Sequence, residues 1–391
     1  MKEKDCNKKS TYGLGHVRQR KDGSYEGILY DKRIGRTVSV SAKTQTELNK
    51  RMKEKRKEIL TQEFGKITNM KVEDYFLYWL QTFMATTVKC TTYDKHEQVI
   101  RNHVIPRIGY LKMKEVTSAD LQKMFNDLSK IRAYSTIKKV MEVVRPCFKH
   151  AALTGDIVKN PMLGVKMPSK ESVVVQTKDI EIYSEEDLKR MEETYLSLYE
   201  EKHLYRLSPM YLFLAHTGMR RGELLALKWK DVNLKNNTAT IRSSLARYKK
   251  RDENMQYIGG YETKMMNPKT RTSNRTVYLN TKAVSHLQEM KRRNDELGIE
   301  SEYVVCNRDG VYVHSRSFDQ ELDRWCKRIG IEFKGLHALR HSFATRAIAA
   351  GVPIKVVSEL LGHADIKITL NTYTHVLESQ KYQAVELLEA L

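Results

Sequence analysis

Cysteine is scarce in this chain: five residues in 391, odd in number and scattered at Cys6, Cys90, Cys147, Cys306 and Cys326. That excludes a disulfide scaffold. No Cys-x-x-Cys or His/Cys cluster suggests zinc, so the thiols are expected to be reduced, in a cytoplasm. Long hydrophobic runs are missing too. No apolar stretch is long enough to span a bilayer, and the charged start from Met1 to Lys9 leads into no apolar segment, so neither membrane nor signal peptide is expected. Internal repeats, low-complexity segments and a carboxylate cluster of the two-metal kind are also absent, and no metal or cofactor is expected. Acidic residues are in deficit, 48 against 69 Lys and Arg, which leaves a formal net charge of +21. Such an excess attracts a polyanion, with nucleic acid the default partner. A basic ribosomal or membrane-surface protein is the plainer alternative. Long apolar periodic segments exclude a disordered basic tail.

A chain of 391 residues exceeds what one compact core usually holds, so two or three domains are expected. Residues 1–65 read as a small unit. Asp22-Gly23 is a hairpin signal, Tyr25 to Tyr30 and Thr37 to Val40 are β-prone with Gly35 at the second turn, and Thr44 caps a Lys/Glu-rich helix to about Glu63. The simplest fold is a three-stranded sheet plus one helix. Its strands carry Arg18, Arg20, Lys32, Arg33 and Arg36, which could enter a DNA groove; the bland reading is a solvated face. Residues 70–167 read as all-helical. Val72, Tyr75, Phe76, Trp79 and Leu80 give an apolar face at helical spacing, read as core rather than as a stacking platform. Further helices open at Thr91-Thr92, Thr117 and Ser135, the last carrying Lys138 and Lys139, candidate DNA contacts. The stretch Lys166 to Lys178 contains Pro168-Ser169, lacks helical periodicity and reads as a linker. Residues 180–391 form the largest unit. Ser184 starts a helix, Leu207 to Ala215 is apolar, and Asp231 to Leu234, Thr238 to Ile241 and Arg275 to Leu279 read as strands; the rest reads as helical. The whole is a multidomain chain ending in a mixed α+β, mainly helical domain.

The chemistry concentrates in that last unit. Arg220 follows Thr217-Gly218, and with Gly218 in a turn Arg220 shares a helix face with Glu223, a carboxylate able to orient a guanidinium. His337 and Arg340 are three apart and point the same way on a helix. Two cationic donors on one face repel unless an anion lies between them, and Arg grips phosphate bidentately. His363 follows Leu361-Gly362, where glycine permits close backbone approach. A lone histidine is more often structural than functional; the ordered set reverses that weighting. Tyr373 can attack a phosphate. A free phenol has a pKa near about 10, so attack at neutral pH needs a base or nearby cations. Charge growing on the phosphoryl oxygens is opposed directly by preorganised cationic donors.

Three stretches carry a family resemblance: Thr217-Gly218-Met219-Arg220-Arg221-Gly222-Glu223-Leu224; His337 to Thr345 with Leu360-Leu361-Gly362-His363; and Thr369-Leu370-Asn371-Thr372-Tyr373-Thr374-His375. Together they resemble the tyrosine recombinase (lambda-integrase) family, nearly completely from Thr217 to His375 and more loosely upstream. The resemblance implies that Arg220 and Arg340 clamp the scissile phosphate, His363 donates to a non-bridging oxygen, His337 acts as acid/base, and Tyr373 becomes linked to a 3′-phosphate. It also implies a hairpin lysine that protonates the departing 5′ oxygen. Pro268 to Val277 fits that hairpin, with Lys269 the choice and Lys264 the runner-up. The three-part layout is similar to integrases of phages and conjugative transposons, which bind arm-type sites through an N-terminal sheet. A homotetramer on double-stranded core and arm sites follows, with an excisionase or host DNA-bending protein as a further partner. The apolar face Val385, Leu388 and Leu391 could fold back on its own domain; the resemblance implies instead that it docks on a neighbouring protomer. A type IB topoisomerase and a catalytically dead DNA-binding regulator are the competing readings. The complete residue set weighs against the regulator, and the basic N-terminal unit weighs against the topoisomerase.

Overall fold

The structure is a computed structural model and describes residues 16–20, 22–31, 36–63, 68–176, 180–266 and 274–374. The chain divides into two compact units, residues 1–177 and 178–391.

In the first unit β1 (His16–Gln19), β2 (Tyr25–Asp31) and β3 (Arg36–Ala42) form an antiparallel sheet. The Asp22-Gly23 turn closes β1 on β2, with Gly23 at φ 84°, a left-handed conformation glycine adopts without strain. Helix α1 (Gln45–Glu63) begins where the Thr44 hydroxyl accepts the Glu47 amide, and lays Leu48 and Met52 on Leu29 and Ala42 of the sheet. The helical part comprises α2 (Val72–Trp79), α3 (Cys90–Val99), α4 (Ile105–Ile108), α5 (Ser118–Ile131) and α6 (Tyr134–Leu153). As expected from their spacing, Val72, Tyr75, Phe76, Trp79 and Leu80 are all buried. A Thr117/Asp120 capping box starts α5. The stretch after Lys166 is non-helical, as Pro168 dictates, but it is no free linker. Lys166 exchanges hydrogen bonds with the Gln122 side chain, and the Val174 amide bonds the Ser129 carbonyl.

The second unit runs α7 (Glu185–Thr194), α8 (Ser197–Lys202), α9 (Ser208–Thr217), α10 (Arg221–Leu225), β4 (Val232–Asn233), β5 (Thr238–Ile241), β6 (Ser244–Arg251), β7 (Tyr257–Met266), β8 (Arg275–Tyr278), α11 (Thr281–Glu296), α12 (Ser315–Arg328), α13 (Leu336–Ala349), α14 (Ile354–Leu361) and α15 (Ile366–Thr372). Helix α9 is apolar all round and becomes the spine: Met210 to Ala215 are buried among α11, α12 and α13. Burying each of its Leu or Phe side chains contributes roughly 1.5–3 kcal/mol. Strands β4, β5 and β8 form one antiparallel sheet, and β6 pairs with β7 in a separate hairpin inserted between β5 and β8. The expectation that everything beyond three strands is helical is therefore corrected. Ser244 to Met266 is a hairpin whose β6 is rich in Lys and Arg and whose β7 is largely exposed, so it lacks the half-buried alternation by which strands are recognised. Among the described residues no helix is long and apolar enough to cross a membrane.

Candidate active site

Two left-handed glycines build the centre. Gly218 ends α9 at φ 62° and Gly362 ends α14 at φ 66°. Their carbonyls are thereby turned toward the two expected arginines: Arg340 Nη1 donates to Gly218 O at 2.7 Å, and Arg220 Nη2 donates to Gly362 O at 2.9 Å. A Cβ on Gly362 would lie 2.6 Å from the Arg275 guanidinium, so no side chain fits there. Glu223, 4% exposed, is the anchor. It accepts Arg220 Nη1 at 2.8 Å and the Arg220 amide at 3.0 Å, and takes both terminal nitrogens of Arg275 from β8 at 3.1 and 3.0 Å. Burial alone would raise its carboxyl; the bonds from Arg275 and the charge of Arg220 outweigh that and hold it below the usual range. Glu223→Gln is expected to cost about 3–5 kcal/mol, because it leaves two guanidiniums around a neutral amide. Urea unfolding at unchanged m measures this; a loss under about 1 kcal/mol would show the arginines are held by their carbonyl contacts instead.

Arg340, 5% exposed, also donates through Nη2 to Leu361 O at 2.8 Å and to His363 Nε2 at 2.9 Å. Arginine has only donors, so His363 Nε2 is the acceptor and its Nδ1 carries the proton to Thr369 Oγ1 at 2.8 Å. Burial, then the charge of Arg220, pushes Arg340 down to about 9. Arg220 and Arg275 crowd it with like charge, which the Glu223 carboxylate opposes. A guanidinium has five N–H groups, and the bonds above leave donors on both arginines open to an anion.

Tyr373 follows α15 and is 1% exposed, packed with Ala344, Ile348, Val357 and Leu361. Burial pushes its phenol up to about 12, with Arg340 opposing. Its hydroxyl bonds Nδ1 of His341 at 2.8 Å. His341 was not among the expected site residues, and the signal for it was one helical turn: it lies four residues past His337 on α13. His337 itself is exposed, its ring 6.4 Å from that of His341. Burial first, then neighbouring positive charge, pushes His341 and His363 down to about 4. Unfolded, both titrate near about 6.5, so between these values the unfolded state binds more protons. The stability of the neutral rings is whole above about 6.5 and is lost as pH falls toward 4. A Tm that falls across that window, less steeply in a His341→Gln/His363→Gln variant, is expected; equal slopes would discard the linkage.

Lys269 lies outside the described residues, as do the tail from 375 and Lys32 and Arg33. Lys264 is exposed on β7, opposite Ala246. The hairpin expected at Pro268 to Val277 is corrected in part: Arg275–Tyr278 is a strand pairing with β5, and the hairpin stands earlier, at β6 and β7. In the first unit Arg18 and Arg20 both bind Glu26, at 2.8 and 2.7 Å, which neutralises part of their charge. Arg36 pairs with Asp31 by backbone register, its side chain outside the described set; Lys138 and Lys139 are exposed on α6.

Two arginines anchored on αL-glycine carbonyls, near a buried tyrosine hydroxyl, offer the anion donors and the nucleophile that phosphoryl transfer needs. The phage integrase family model matches residues 184–380, and the phage integrase N-terminal SAM-like domain matches 71–129. The XerC-like tyrosine recombinase of Caldanaerobacter subterraneus is 31% identical over 327 residues, 80% of this chain and 81% of that protein. The chain belongs to the phage integrase family of tyrosine recombinases, enzymes that break and rejoin DNA through a tyrosine. The ICEBs1 integrase of Bacillus subtilis is 22% identical, over 76% of this chain and 77% of its own length. In fold, the Tn1549 transposon integrase, solved with a circular intermediate DNA, superposes at TM-score 0.62 and 21% identity, covering 81% of this chain and 99% of that one. A lambda integrase dimer on a core site gives 0.56 at 14% identity, covering 91% and 93%.

Proposed function

We propose that this protein is the integrase of a phage or conjugative transposon, which cuts and rejoins attachment-site DNA through a 3′-phosphotyrosine and a Holliday junction. The observation that carries the reading is the arginine pair, fixed by Glu223, Gly218, Gly362 and Leu361, with N–H groups left over for an anion. Arg220 and Arg340 take the scissile phosphate; when Arg340 turns its Nη2 donor to that phosphate, Nε2 of His363 is released and, once protonated, donates to a non-bridging oxygen. The Tyr373 oxygen attacks phosphorus; the bond to the 5′ oxygen breaks, and that oxygen takes a proton from Lys269, with Lys264 the alternative. The phenol proton passes to an imidazole: Nδ1 of His341 lies 2.8 Å from the phenol oxygen and accepts from it in the tautomer protonated at Nε2, and His337 stands one turn before it. The phosphotyrosine keeps the phosphodiester energy, so religation by another 5′ hydroxyl needs no ATP.

The proposed division of labour is arm-site binding by 1–65 with Arg18, Arg20 and Arg36, core-site binding by 70–167 with Lys138 and Lys139, and chemistry by 180–391. The working complex is a homotetramer on two duplexes, assisted by an excisionase or a DNA-bending host protein, in a bacterial cytoplasm at the nucleoid. A tetramer of lambda integrase on a Holliday junction, similar in fold at TM-score 0.54, supports that assembly. The test is selection of attachment sites from random DNA, then incubation of two such duplexes with the protein. Holliday junctions are expected; relaxation of supercoils without junctions would favour a topoisomerase. Deleting residues 1–65 should leave core-site cleavage intact and abolish arm-site binding. Full recombination of complete sites by the deletion protein would show the unit is dispensable.

A further inference from the structure

Away from the arginine pair, three side chains on α7, α9 and α11 converge. The carboxylate of Glu192 meets His216 Nε2 at 2.8 Å and His286 Nε2 at 3.2 Å, and one donor atom from each of the three lies within 4.8 Å of the others. His286 is 1% exposed, and its ring stacks on that of His216 with centroids 5.7 Å apart. Nε2 of His286 faces the carboxylate and its Nδ1 is buried without a hydrogen-bond partner, so a cation bound at Nε2 takes the tautomer with the proton on Nδ1. Burial would raise Glu192, but the bonds from the two imidazoles outweigh it and keep the carboxylate ionised. A cleft of about 370 Å³, lined among others by Glu185, Glu193, Leu212 and Lys282, opens at Glu192 and His216.

We propose that Glu192, His216 and His286 form a site for a divalent cation of zinc type, with water from the cleft as fourth ligand. Zinc bonds of about 2.0–2.1 Å in tetrahedral array set ligand atoms roughly 3.3 Å apart, so two edges of the triad need to shift by only a few tenths of an ångström. Two imidazoles and one carboxylate suit zinc; magnesium and calcium take oxygen sets. The Lys282 ammonium lies 3.7 Å from Glu192, where the cation would compete with it, but its side chain is 62% exposed and free to swing into solvent. The cation's role is structural. His216 is one residue before the end of α9, and the Gly218 to Arg220 turn follows directly, so tying α7, α9 and α11 here fixes the start of that turn. The site is independent of the recombinase reading.

The test uses the full chain, stripped with chelator, dialysed and titrated with zinc chloride alone. One zinc per chain is expected, with Tm raised by about 5 °C at saturation and no rise with magnesium. Glu192→Gln with His216→Asn should lose both the zinc and the rise. Because that pair also removes internal hydrogen bonds, Lys282→Met serves as a second variant: it keeps all three ligands, removes the competing ammonium, and should tighten zinc binding roughly tenfold. A wild-type chain that binds no zinc, a Tm rise that persists in the double variant, or unchanged affinity in Lys282→Met would overturn the site and leave a triad closed by hydrogen bonds alone.

Discussion

Tyr373→Phe is expected to form no covalent protein–DNA adduct on a nicked suicide duplex that traps wild type completely. The substitution removes one oxygen from a side chain that is 1% exposed, and the ring keeps its packing against Ala344, Ile348, Val357 and Leu361. What goes is the nucleophile itself and its bond to His341. Leaving Nδ1 of His341 without that partner costs about 1–3 kcal/mol, too little to unfold a two-unit protein, so duplex binding should persist. A phenol pushed up to about 12 is almost wholly protonated at neutral pH. Attack therefore depends on the phosphate-bound cations and on an imidazole to take the proton. Tyr382 is the nearest competitor in sequence. An adduct in the Phe variant, mapped by peptide sequencing to Tyr382, would sink the assignment.

Arg220→Lys is expected to slow cleavage by about 10²–10³-fold or more while duplex affinity changes only a few-fold. The guanidinium is held at two nitrogens, one on Glu223 and one on Gly362 O, and this fixes the plane in which its remaining donors face an anion. A lysine ammonium keeps the charge but has no fork; once paired with Glu223 it cannot also reach the Gly362 carbonyl in the same geometry. Phosphate contacts position a protein on DNA, and one of many is a small share of the binding energy. Single-turnover cleavage alongside a binding isotherm at fixed salt separates the two effects. If affinity collapsed together with cleavage, Arg220 would be a structural arginine of the Glu223 cluster rather than a phosphate ligand.

Much of the fold was legible because its signals are local. The Asp22-Gly23 turn, the Thr117 and Ser184 caps and the apolar run of α9 each depend on neighbours within four residues, and each stands where the sequence puts it. The hairpin Ser244–Met266 was missed for the converse reason. Its strands are stabilised by cross-strand pairs such as Arg247 with Tyr261, whose ring lies 4.0 Å from the guanidinium, and not by a buried face that would leave an alternating pattern. Among site residues, Arg220, His337, Arg340, His363 and Tyr373 were named from ordered motifs. Arg275 and Thr369 carried no signal of their own, since their value lies in a partner: Glu223 for one, His363 Nδ1 for the other.

By itself the sequence determined that the chain is a basic, multidomain protein with the residues for phosphodiester chemistry in a fixed order, because residue type, charge and short-range spacing are properties of the chain. Only the tertiary structure decided how those residues are held. It set Glu223 between two arginines, turned the Gly218 and Gly362 carbonyls onto Arg340 and Arg220, and gave the Tyr373 phenol to His341 rather than to His337. It also drew Glu192, His216 and His286 together from three helices, where the scattered histidines of the sequence had suggested no metal. The reason is common to all of these: a hydrogen bond or ligand sphere is decided by distance and direction in space, and residues scores of positions apart acquire both only when the helices that carry them pack.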